Sequence, residues 1–252
     1  MNTPILPQPP KPPSMGPLEP VPGPIGPGSV VEALLKKPGQ VVYELSAGKS
    51  AGRVVAAILL VALAGLVAFG LAAGSFSGGV QWWAAPVKIT VGTLFAALIC
   101  LPSLYIFVSL SGANIRFGAL AGLLAGTVAL SALLLAGLTP VVWVFSQSTE
   151  SLGFMGTLMV LAWLTALLAG LGFLRKGARW MGLTRGFHLH LWTLMFLVVT
   201  LQMSCALRPI LGTSVDLLPK EKRFFLGHWA KVLGESAQSG VEDGERSTRG
   251  AD

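Results

Sequence analysis

A chain of 252 residues that is 53% hydrophobic and only 12% charged, with a mean hydropathy of +0.70, lacks the composition of a water-soluble domain. Of 18 basic and 11 acidic side chains, only Lys88, Arg116 and Glu150 lie between Val54 and Leu174. This excludes a disulfide scaffold, a coiled-coil rod and most soluble catalytic folds. The net charge of +7 does not point to nucleic acid, because the basic residues flank apolar stretches in small groups instead of lining one face. The expected fold class is all-α: a polytopic transmembrane helix bundle of about five spans, with a disordered Pro-rich N-terminal arm and a polar C-terminal tail.

The arm is residues 1–28, which hold 11 of the 17 prolines. No helical or sheet ladder survives that density, so polyproline II or disorder is expected. It has neither a basic start nor an apolar core segment, so the first span is expected to serve as the targeting signal. Residues 29–53 form a juxtamembrane segment. In it Val30 to Lys37 suits a short amphipathic helix stopped by Pro38-Gly39, and Gln40 to Leu45 alternates in apolar character, so the segment is expected to rest against the bilayer.

About 20 apolar residues are needed to cross a hydrocarbon core, and five stretches qualify: 54–74, 86–110, 117–138, 152–174 and 187–207. Trp82 and Trp83 suit the headgroup level before the second, and Lys88, near its start, is expected to snorkel outward. Pro102 and Pro140 each leave a carbonyl unpaired, so kinks are expected, with Ser103 and Thr139 as compensating hydroxyls. Whether Val141 to Phe145 prolongs the third helix is left open by the pattern.

Basic residues fix the orientation. Lys36, Lys37, Lys49 and Arg53 precede the first span, Arg116 follows the second, and Arg175, Lys176, Arg179 and Arg185 follow the fourth. These belong on one side, which places the amino terminus in the cytoplasm and the carboxyl terminus in the periplasm. Lys220, Lys222 and Arg223 run against that assignment.

Spans associate in lipid through small residues at every fourth position. Ala64, Ala68 and Ala72 offer one such ridge, Gly118, Gly122 and Gly126 a second, and Ala162, Ala166 and Gly170 a third. Packing within one bundle is the expected use; a homo-oligomer seam along the second ridge is the alternative. Polar chemistry is sparse. No catalytic, cofactor-binding or metal site is expected, since no acidic residue falls inside a span and no nucleophile or metal-ligand motif is present. His188 and His190 stand about 200° apart on a helix and do not converge. Gln202 suits an interhelical hydrogen bond. Cys100 and Cys205 are expected at depths about 18 Å apart, too far for a disulfide.

Beyond the fifth span, residues 208–234 read as an interfacial amphipathic segment, with Arg208 and Pro209 at the helix end and Phe224, Phe225 and Trp229 beside Lys220, Lys222 and Arg223. Residues 235–252 are a polar tail. The partners expected are the lipid bilayer and a protein engaged through the arm or this segment, with no nucleic acid.

The stretches Pro86-Val87-Lys88 through Ile99-Cys100-Leu101-Pro102-Ser103-Leu104-Tyr105, and Gln202-Met203 through Leu207-Arg208-Pro209-Ile210-Leu211-Gly212 with Phe224-Phe225 following, resemble an uncharacterised family of bacterial multi-span membrane proteins over residues 29–230. In size and span number that family is loosely similar to the Yip family of small membrane-trafficking proteins. The resemblance implies an inner-membrane location and a helical bundle, and transfers no catalytic residue. The function expected is therefore a non-enzymatic anchor, scaffold or accessory subunit. A small-solute transporter or channel using Pro-interrupted helices is the alternative, and a lipid-modifying enzyme ranks third.

Overall fold

The structure is a computed structural model that describes residues 18–206, apart from 48, 49, 78, 80, 150, 184 and 185 and the side chains of 47, 77, 81, 152 and 203–206. Most of the arm, Glu150, the Cys205 side chain, Arg208, Pro209, Phe224, Phe225, Trp229 and the C-terminal tail lie outside the described residues.

Every regular element among the described residues is a helix: α1 (Pro27–Lys36), α2 (Pro38–Ala47), α3 (Ala51–Ser77), α4 (Gln81–Leu110), α5 (Phe117–Ser148), α6 (Leu152–Trp180) and α7 (Phe187–Ala206). Four of these are long and apolar enough to cross a membrane, over Ala51–Phe76, Trp82–Leu110, Phe117–Ser148 and Gly153–Trp180. The fifth expected span is present as a helix, but its described apolar stretch, Phe187–Gln202, is shorter than the other four.

The helix starts and stops follow from local chemistry. Pro27 opens α1, where its missing N–H is no loss, and the Gly26 N–H donates to Ser29 Oγ at 2.9 Å. Pro38 opens α2 in the same way, so Gln40 to Leu45, alternating in apolar character, lies within a helix. At the far end of α6, Gly182 takes a φ of +101°. The Leu183 N–H donates to the Ala178 carbonyl and the Gly182 N–H to that of Arg179, each at 3.0 Å, which is a Schellman stop that glycine permits.

Cross-helix contacts fix the register. A Cβ added to Gly122 would meet Val55, and one added to Gly65 would meet Ala132. Ser75 Oγ lies 3.0 Å from Ser146 Oγ, so α3 and α5 run parallel along their whole length and make the broadest helix pairing among the described residues. Antiparallel α4 packs beside α3 through Gly70 and Pro86, and α6 beside α5 through Gly126 and Phe173. The outer helix α7 packs on α4, with His188 Nδ1 at 3.4 Å from Ser111 Oγ. In sectional order the helices are α7, α4, α3, α5, α6, with α4 also touching α5. The core they enclose includes Ile58, Leu66, Leu104, Leu120, Leu123, Leu135, Met155, Leu171 and Trp192.

This topology puts the start of α3, the end of α4, the start of α5, the end of α6 and the start of α7 at one end. Arg53, Arg116, Arg175, Lys176 and Arg179 all belong to that basic end. Here α1 and α2 pack against α3 and α5, and α2 also against α6, covering the bundle rather than lying apart from it.

Candidate functional site

Two groups of residues carry information beyond span packing: the glycine contacts that hold the helices together, and the platform that α1 and α2 build on the basic end.

The small-residue ridges divide unevenly. On α5, Gly122 approaches Leu45 of α2, a Cβ there falling 2.5 Å from Leu45 Cδ2, and Gly126 approaches Phe173 of α6, at 2.9 Å. Gly118 has nothing within 4 Å. The ridge therefore serves contacts within the chain at two of its three positions. On α6, Ala162, Ala166 and Gly170 are all buried, and Gly170 lies against the Ser131 hydroxyl and the Thr127 carbonyl of α5. On α3, Ala64 is exposed, and the close approaches occur instead at Gly65 and Gly70. Gly65 has no small residue four positions away, whereas Gly70 begins a Gly70-x-x-x-Gly74 repeat, a signal separate from the alanine ridge.

Inside the bundle, hydroxyls are satisfied mostly by their own helices. Thr127 donates to the Leu123 carbonyl at 2.9 Å, Ser131 to that of Thr127 at 3.0 Å, Thr139 to that of Leu135 at 3.0 Å and Thr193 to that of Leu189 at 2.7 Å. Ser103 donates to the Cys100 carbonyl at 2.8 Å. The helices run unbroken through Pro102 and Pro140, both of which are exposed. Cys100 is a free, buried thiol. Gln202 Oε1 is buried and has no hydrogen-bond partner among the described residues, so the expected interhelical bond is not seen among them. Lys88 departs from expectation: it is 5% exposed instead of reaching outward, and no hydrogen bond or ion pair joins it to the described residues. The histidines stay separate, His188 beside Ser111 and His190 with Nδ1 at 2.6 Å from the Gly186 carbonyl. Among the described residues no three His, Cys, Asp or Glu side chains group as metal ligands.

The platform is built on α2. Val41, Val42 and Leu45 are buried; Val42 and Leu123 meet at Gly177 of α6, and Leu45 fills the space over Gly122 of α5. A larger residue at Gly122 would crowd the Leu45 side chain, and one at Gly177 would crowd Leu123 and Val42, so both glycines make room for the close seating of α2. Val30, Ala33 and Leu34 bury the inner side of α1, and Val21 and Ile25 of the preceding segment pack against the same core. Between this segment and the two helices lies a cavity of about 140 Å³, lined by Val21, Pro22, Ser29, Glu32, Ala33, Lys36, Lys37 and Gln40. Glu32 and Lys36 pair across one turn at 3.0 Å, both well exposed. No spacing in the sequence signals this cavity, because its walls come from three separate segments folding together.

Comparison of the chain with protein-family models, with curated proteins and with solved structures found no match.

Proposed function

We propose that this chain is a non-enzymatic integral membrane protein that serves as an anchor or accessory subunit of a membrane-associated complex. We place it in the bacterial inner membrane with its basic end in the cytoplasm. The observation carrying this reading is the platform: Leu45 over Gly122 and Val42 at Gly177 hold α1 and α2 against the spans, so the Pro-rich arm leaves from a fixed position. A partner bound to the arm would be held at a defined place relative to the bilayer. The basic residues gathered at the same end favour the cytoplasm for it. The bacterial family resembled over residues 29–230 agrees with the location.

The test is recovery of a stoichiometric partner after crosslinking in cells and extraction in mild detergent. The intact chain is compared with a chain beginning at Leu18, which retains the platform and lacks the arm. A partner held by the intact chain and lost from the shortened one is expected. If both chains migrate alone, the reading is wrong.

A further inference from the structure

The cavity on the platform has the makings of an anion site. Gln40, in the first turn of α2, forms part of its wall beside Lys37. The Gln40 N–H is used by the Lys37 carbonyl at 2.9 Å, but its side chain is only 7% exposed, lines the cavity, and makes no hydrogen bond to any described residue. The amide is therefore free to bond a group that enters the cavity. Lys37, on the same wall, has no acidic partner, because the neighbouring Glu32 is taken by Lys36. Ser29 is also taken: its hydroxyl donates to the Gly26 carbonyl at 2.9 Å and accepts from the Gly26 N–H. The free groups lining the space are the Lys37 ammonium and the Gln40 amide, and the N–H groups of both can donate to an anion.

From this we infer that the cavity binds the phosphate of a phospholipid headgroup, with the Gln40 amide and the Lys37 ammonium donating to its oxygens. A lipid source is favoured over a soluble phosphate by position. Leu35 is 54% exposed directly beside Lys36 and Lys37, an arrangement that suits a helix seated in the headgroup layer. The basic ring of Arg53, Arg116, Arg175 and Arg179 belongs to the same end of the bundle. A single negative charge is favoured over two because the Glu32 carboxylate also lines the space. The site is independent of the proposed partner and would stand without one.

The test uses the full-length chain, delipidated in detergent and titrated with phosphatidylglycerol while bound lipid is counted by native mass spectrometry. One tightly held lipid is expected, with binding about tenfold weaker in Lys37→Ala and in Gln40→Leu, as for loss of a charge-assisted hydrogen bond. Lys37 lies between the two helices, and Lys37→Arg, which keeps the charge, is expected to retain binding. Inorganic phosphate is titrated in parallel and is expected to bind weakly and not to displace the lipid. Unchanged lipid affinity in Lys37→Ala and Gln40→Leu, both with native helix content, would overturn the proposal. So would inorganic phosphate displacing the lipid, which would assign the cavity to a soluble anion.

Discussion

Trp192 of α7 donates its indole N–H to Ser103 Oγ of α4 at 3.0 Å, and the same N–H lies 3.3 Å from the Cys100 carbonyl. Ser103 sits next to Pro102, where α4 lacks one backbone donor. It is half-buried beside Trp192, whose ring stacks on Phe196 with centroids 5.1 Å apart. Trp192 therefore ties α7 to α4 by a polar contact as well as by packing. Trp192→Phe keeps the ring and removes the donor, and is expected to destabilise the protein by about 1 kcal/mol. Ser103→Ala should cost less, because the Cys100 carbonyl remains for the indole. A double-mutant cycle read by denaturant unfolding in detergent should show coupling of about 0.5 kcal/mol or more. Strict additivity would mean that the contact contributes nothing.

The glycine contacts sort by direction. A methyl at Gly65 would lie 2.6 Å from the Ala132 carbonyl oxygen, and one at Gly170 would lie 2.6 Å from the Thr127 carbonyl oxygen. Backbone cannot yield there as a side chain can, so Gly65→Ala and Gly170→Ala are each expected to destabilise by about 1–3 kcal/mol. Gly118 has open space around it, and Gly118→Ala is expected to stabilise α5 by about 0.5–1 kcal/mol through helix propensity. Thermal unfolding of the three variants provides the check, and a destabilising Gly118→Ala would point to a second copy packing on that position.

The exposed prolines are expected to be dispensable. Because α4 and α5 continue through Pro102 and Pro140, an alanine at either position restores a donor to the carbonyl four residues earlier without changing the helix path. Pro102→Ala and Pro140→Ala should retain the helix content by circular dichroism and raise stability by about 1–3 kcal/mol. In liposomes, selective solute flux by the parent chain that disappears in Pro102→Ala would favour a transporter over an anchor.

The platform depends on α2. Leu45→Ala empties the space over Gly122 and is expected to weaken α2 docking by about 2–4 kcal/mol. Hydrogen exchange should then quicken across α1 and α2 while α3 and α5 stay protected. Equal loss of protection in all four helices would show that the platform and bundle unfold as one unit.

The membrane class and helix positions were legible in the sequence because long apolar runs leave few alternatives, and α3, α4, α5 and α6 fall where the runs predict them. Their ends were less legible. Val141 to Phe145 continues α5, which runs on through Pro140 at an exposed position. Likewise, α6 carries Arg175 to Trp180 as further helical turns past its apolar run. Packing was half legible: Gly122, Gly126 and Gly170 sit at close contacts, whereas Gly65 and Gly70 depend on which helix lies opposite, a fact no single helix encodes. The cavity was illegible for the same reason. Gln40 looks like an ordinary polar residue until Pro22, Lys37 and Glu32 are brought around it.

The central claim is that α5 crosses a bilayer, with the α1–α2 platform at one end and the α5–α6 turn at the other. Cys100 and Cys205 are replaced by alanine, and single cysteines are introduced as Asn114→Cys and Ser148→Cys, both at exposed positions flanking α5. Intact cells are then treated with a membrane-impermeant thiol reagent before and after permeabilisation. The cysteine at 148 is expected to react in intact cells and the one at 114 only after permeabilisation. Labelling of both positions from the same side would contradict the claim.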